Sequence, residues 1–342
     1  MINCIIIKGT CSLTFNRDGY DPLIDYLKGL CILFVVIQHS IPTALHHYTM
    51  FALWGRLAVP IFLLIQVFHA YKKLMGGGKI HLQSDRLWKR VVKPFIVVQI
   101  ILVFVDVVLF QKSFGNIING LYHSGGMGSG GYYPWLYIQF AVLLVLLAPF
   151  FRKYKNQMAL FFIFALTSQL LEMLCCLLQM PEWIFRLCAV RYFFIIYLGY
   201  ILAIQGFELN KKTFTIGIVS LICLCIFAFK DVNLRPFFYT GMPAWRTCHW
   251  VNYFYVCYIL LFVLRWTYEK LRPMNIIVTW IQDMGKYSYE IFMFQMIYFH
   301  VCKALIPDKG GMLSQIAYMI AAVVICIVPI VFYKKHSYKI IE

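Results

Sequence analysis

In the stretch DYLKGLCILFVVIQHS, Asp25 to Ser40, an otherwise apolar segment carries Lys28 and, eleven residues on, His39. Imidazole is the side chain that titrates near neutral pH without help, so His39 is suited to take a proton from an incoming hydroxyl group. Lys28 offers a fixed positive charge to an anion. On a helix the two lie about 16 Å apart along the axis, roughly half the thickness of a bilayer's hydrocarbon core. At about 100° per residue, eleven steps close three turns with about 20° to spare, so both side chains project along one stripe. Lipid penalises both groups. The pair reads either as a snorkelling lysine with a histidine satisfied by a neighbour, or as the two ends of one polar site.

Further groups suit the same chemistry. Arg86, Lys89, Arg90 and Lys93 precede Pro94 at mixed three- and four-residue spacing, so several can face one way and meet a polyphosphate. A plain cluster of inner-side cations is the alternative. Arg56 and Arg191 lie at outer ends of apolar runs, where they snorkel, bind an acceptor or steady a developing oxyanion. Tyr133, Trp135, Tyr137 and Gln139 can stack on and hydrogen-bond a sugar, or serve as interfacial anchors. Asp106 and Glu172 are costly in lipid and are expected to be neutral or paired. Glu290, in SYEIF, is a partner for His39 or, at helical spacing, for Lys286.

The elements that position these groups follow from composition. The chain has 342 residues, 62% hydrophobic and 13% charged, whereas a soluble domain is about a quarter charged. It is an all-α integral membrane bundle with no soluble domain of useful size. Ten spans are expected at about 23–45, 51–71, 92–110, 134–151, 157–179, 187–205, 213–230, 250–267, 285–304 and 313–333. The loop YKKLMGGGKIHLQSDRLWKRVVK and the later basic junctions fall on one side, which the positive-inside rule makes cytoplasmic, together with both termini. The organisation is a cytoplasmic segment 1–22, a membrane domain 23–333 and a cytoplasmic tail 334–342. Residues 1–22 lack the pattern of a signal peptide, so the first span is expected to remain in the mature protein.

The net charge of +17 resides in short loops and forms no aromatic-studded groove, which argues against nucleic acid. The twelve cysteines show no paired spacing for zinc, and no metal is expected. The loop GLYHSGGMGSGGYYPW lacks P-loop order and reads as a flexible connector or an acceptor-binding loop. In RPFFYTGMPAWRTCHW an interfacial aromatic belt is the simpler reading. No inverted repeat is evident, which weakens a transporter reading.

The run from Lys28 to His39 resembles the R/K-x10-H signature of the acyltransferase type 3 family, integral membrane proteins that O-acylate sugars and other surface polymers. FALWGRLAVPIFLLIQVF, RLWKRVVKPF, GSGGYYPWLYIQFAVLLVLLAPFFRK, RYFFIIYLGYIL and GKYSYEIFMFQMIYFH follow in the family's order, so the similarity runs from about Asp25 to His300. Three positions depart from the usual pattern: Lys28 stands for the commoner arginine, Gln66-Val67 for a Ser-Gly pair, and Gln295 for a histidine. The resemblance implies an acyl-coenzyme A donor, such as acetyl-coenzyme A, bound from the cytoplasm with Lys28, Arg86, Lys89 and Arg90 near its phosphates. It implies His39 as catalytic base, and an acceptor hydroxyl on a cell-envelope glycan or lipid-linked saccharide presented from the outer side. Arg56, Tyr133, Trp135, Gln139 and Arg191 are the expected acceptor contacts. A bacterial inner membrane is the implied location. The rival readings are a transporter or flippase for acyl groups or glycolipids, and a catalytically silent scaffold.

Overall fold

The computed structural model describes residues 21–206, 209–229, 247–306 and 310–339. Helices make up the fold, with no strand among the described residues. Helix α1, Pro22–Ser40, begins where the Asp21 side chain accepts from the Leu23 N–H at 2.9 Å and proline occupies the first turn. It ends five residues short of the expected boundary, because Pro42 disfavours helical backbone at Ile41. The short α2, Thr43–Tyr48, and turns at Phe51–Leu53 and Gly55–Leu57 lead into α3, Ala58–Met75. A π-helical turn, Trp88–Val92, opens α4, Lys93–Val108.

There follow α5, Phe114–Ser124, α6, Tyr133–Lys153, and α7, Gln157–Leu177. The chain continues through α8, Phe194–Gln205, α9, Lys211–Phe229, and α10, Trp250–Leu271. Last come α11, Asn275–Lys286, α12, Ser288–Leu305, and α13, Met312–Lys339. Neither α5 nor α11 figures among the expected elements. Residues 1–20, Arg235, Arg246 and the last three residues of the expected tail lie outside the described residues.

Among the described residues, eight helical stretches are long and apolar enough to cross a bilayer, and the chain is a polytopic helical membrane protein. The expected spans 187–205 and 285–304 fall on Ala189–Gln205, which is short, and on α12, which is outside those eight. The physical reason is burial. Every residue from Phe194 to Leu202 is buried, and α12 turns Gln295 and Phe299 into the core, so neither helix must satisfy lipid all round.

Helix α1 is the centre of the bundle, packed by α3, α10, α11, α12 and α13. Two-thirds of the apolar window of α1 is buried, against 17% for Lys211–Phe229 and 22% for Met312–His336, which leaves the lipid contact to the peripheral helices. Two glycines let α11 close on α1. A methyl group on Gly29 would meet the Ile281 carbonyl, and one on Gly285 the Asp25 carbonyl.

Candidate functional site

The stripe on α1 exists as expected: Lys28, Ile32, Val35 and His39, at helical steps of four, three and four, line one cavity of about 530 Å³. Helix α3 faces it with Ala58, Phe62, Ile65, Gln66 and His69, the same periodicity on a second helix. Lys28, His69, Arg90 and Lys286 gather at one end, while His39, Arg56, Thr247 and Cys248 line the other. None of the residues lining the cavity is an aspartate or glutamate.

At the basic end each cation is held differently. Lys28 pairs with Asp25 of its own helix at 3.2 Å. The Asp283 carboxylate accepts from Lys286 at 3.2 Å and from Lys335 at 3.3 Å. Arg90 lies in the π-helical turn, whose Val91 carbonyl accepts from the Tyr289 hydroxyl at 2.7 Å. That bond ties the turn to α12 and fixes where the guanidinium emerges. Arg86, Lys89 and Arg90 are all exposed on this segment, and of the three only Arg90 lines the cavity.

At the far end the His39 ring rests against Phe299, with ring centres 5.6 Å apart. It makes no hydrogen bond to any described residue, so its nitrogens remain available to whatever enters. Glu290 is not its partner. The carboxylate lies 3.5 Å from Lys334, because the first turn of α12 sits at the basic end of the helix and His39 near the opposite end. Arg186, a residue the sequence offered no reason to single out, holds its guanidinium over the Tyr132 ring at 5.6 Å.

Arg56 is half-buried, lines the cavity, and forms no hydrogen bond or ion pair with any described residue. Arg191 is 3% exposed and stands behind the wall, its guanidinium over the rings of Tyr132 at 5.0 Å and Tyr192 at 4.6 Å. Both of those tyrosines line the cavity. Tyr133 and Tyr137 line it as well, whereas Trp135 and Gln139 do not. The indole N–H of Trp135 donates to the Gly125 carbonyl. Gln139 donates to the Leu187 carbonyl at 2.7 Å and accepts from the Ala189 N–H at 2.9 Å. Its amide thus braces the turn that delivers Arg191.

The glycine-rich loop is neither a loose connector nor a surface feature. Gln99 of α4 accepts from the Met127 N–H at 2.6 Å and donates to its carbonyl at 3.3 Å. Gln295 of α12 donates to the Ser129 carbonyl at 2.9 Å. Gly128, at φ 86°, approaches the Met296 backbone, and Gly130, at φ 90°, meets the Phe292 ring and lines the cavity. A side chain is excluded at both positions, by conformation and by space. Asp106 is paired, as its depth demands: His300 lies 2.7 Å and Lys112 2.9 Å away. Glu172 is buried.

His69 and Gln38 are cavity residues that the sequence reading passed over, and Gln66 entered it only as a departure. His69 and Gln66 are three apart on an apolar helix, the kind of pair that flagged Lys28 and His39. Thr247 and Cys248 had no such signal, since they reach the cavity from a segment preceding α10.

Comparison with curated proteins and with solved structures yields no match. The family described as an acyltransferase domain matches residues 21–331, from the cap of α1 into α13. With that match covering nearly its whole length, the chain belongs to the membrane-bound acyltransferase type 3 family.

Proposed function

We propose that this acyltransferase moves an acyl group, most simply acetyl, from cytoplasmic acyl-coenzyme A to a hydroxyl of a cell-envelope glycan or lipid-linked saccharide. The observation that carries the reading is one cavity with Lys28, Arg90 and Lys286 at one end, His39 beside Arg56 at the other and no lining carboxylate. A donor's phosphates are attracted to Lys28, Arg90 and Lys286, while the thioester on its long flexible arm reaches the level of His39. His39 then takes the proton of the acceptor hydroxyl as the oxygen attacks the thioester carbonyl. The new C–O bond forms through a tetrahedral oxyanion, the C–S bond breaks, and the departing thiolate recovers the proton from the imidazolium. Arg56 is the cation that lines this end, where the acceptor enters. The protein works in the cell membrane, the inner membrane of a bacterium, with the basic end facing the cytoplasm.

The test uses purified protein in nanodiscs with radiolabelled acetyl-coenzyme A and an envelope glycan fraction. Labelled ester that survives organic extraction and is released by mild base is the expected product. Label that crosses sealed proteoliposomes without forming an ester would instead establish a transporter. Comparing surface glycans by mass with and without the gene then identifies group and carrier together.

A further inference from the structure

Beside the main cavity lies a second one of about 390 Å³, lined by Gln38, Thr43, His46, His47, Arg56 and Thr247 with a few apolar residues. Gln38, Arg56 and Thr247 line both cavities, so these three form the partition between them. His39 follows Gln38 in the chain and lines the main cavity. The second cavity is thus the antechamber on the side of His39 away from the basic end.

Its chemistry is one-signed. Arg56, His46 and His47 are its ionisable lining residues among those described, and no carboxylate accompanies them. Arg56 has neither an ion pair nor a hydrogen bond to a described residue, although it is half-buried. A cation removed from bulk water without a counter-charge is costly, and an anion in the ligand removes that cost. Burial first, then the Arg56 guanidinium and His47, hold the His46 imidazole below its ordinary range. Polar atoms on the wall are also unspent: His46 Nε2 and Gln38 Oε1 have no hydrogen-bond partner among the described residues.

We infer that the antechamber binds the acceptor and selects one bearing an anionic group next to the sugar that is acylated, with Arg56 as its counter-charge and His46 and His47 beside it. The inference rests on the proposed acyl transfer for the meaning of "acceptor", but the binding preference stands by itself. The anion is a carboxylate on the saccharide or a phosphate linking it to a carrier. Both satisfy the same guanidinium.

Footprinting tests this in the intact protein in nanodiscs. Diethyl pyrocarbonate modification of His46 and His47 is read by peptide mass in the presence of methyl glucoside, methyl glucuronide or glucose 1-phosphate. At least one anionic probe should protect at a concentration tenfold or more below that of the neutral glucoside, and whichever does so identifies the kind of anion. In Arg56→Gln the difference should shrink to within twofold, and in Arg56→Lys most of it should remain. Equal protection by all three probes in the unmodified protein would overturn the inference, as would a difference that persists in Arg56→Gln. Coenzyme A protection of His69, at the other end, is measured in the same samples. Its absence would count against the acyl-coenzyme A reading while leaving the antechamber result intact.

Discussion

Gly285 of α11 lies so close to the backbone carbonyl of Asp25 that no methyl group fits between them, and Gly29 of α1 stands in the same relation to Ile281. Two reciprocal close approaches hold these helices together and place Lys286, the last residue of α11, at the rim of the cavity. Gly285→Ala should lower stability by about 1–3 kcal/mol through overpacking and raise the KM for donor as the helix end is pushed outward. Thermal unfolding in detergent and donor kinetics check both parts. An unchanged melting point together with an unchanged KM would mean that the contact gives way freely.

His39 makes no hydrogen bond to a described residue, so its replacement should separate activity from folding. For His39→Gln, membrane abundance and thermal stability should stay near those of the parent protein, while acyl transfer falls by about 10²- to 10⁴-fold, the usual worth of a positioned general base. Activity retained within a few-fold would remove the imidazole from the chemistry.

The cavity divides the basic residues into two groups with different expected phenotypes. Lys28→Ala and Arg90→Ala each remove a cation that lines it, and should raise the donor KM by roughly tenfold or more, the scale of one charge-assisted hydrogen bond. Arg86→Ala and Lys89→Ala, on the same segment but outside the lining, should change it less than about twofold. Equal effects from all four would show that a diffuse field, and not the lining, attracts the donor.

Gln99 satisfies both the N–H and the carbonyl of Met127. Gln99→Leu keeps the approximate volume but leaves two largely buried backbone groups unpaired, at about 1–3 kcal/mol each. Amide hydrogen exchange across 124–132 should rise sharply. If protection there were unaffected, the loop would owe its position to its glycine contacts alone.

The sequence by itself determined a good deal. Apolar runs of bilayer length fixed a polytopic helical fold, because lipid leaves a backbone few ways to satisfy its hydrogen bonds. The eleven-residue step from Lys28 to His39 fixed a shared stripe, because helix geometry is local. The ordered motifs pointed to the family. Tertiary structure decided which charged residues meet. Arg86 and Arg90 look interchangeable in the chain, yet the π-helical turn and the Tyr289 bond bring only Arg90 to the cavity. Glu290 found Lys334 from a helix more than twenty residues later. Gln139 braced a turn, and the glycine-rich loop became a wall. Such pairings depend on which helices become neighbours, and neighbours are chosen by packing across the whole bundle, a property that no short window of sequence contains.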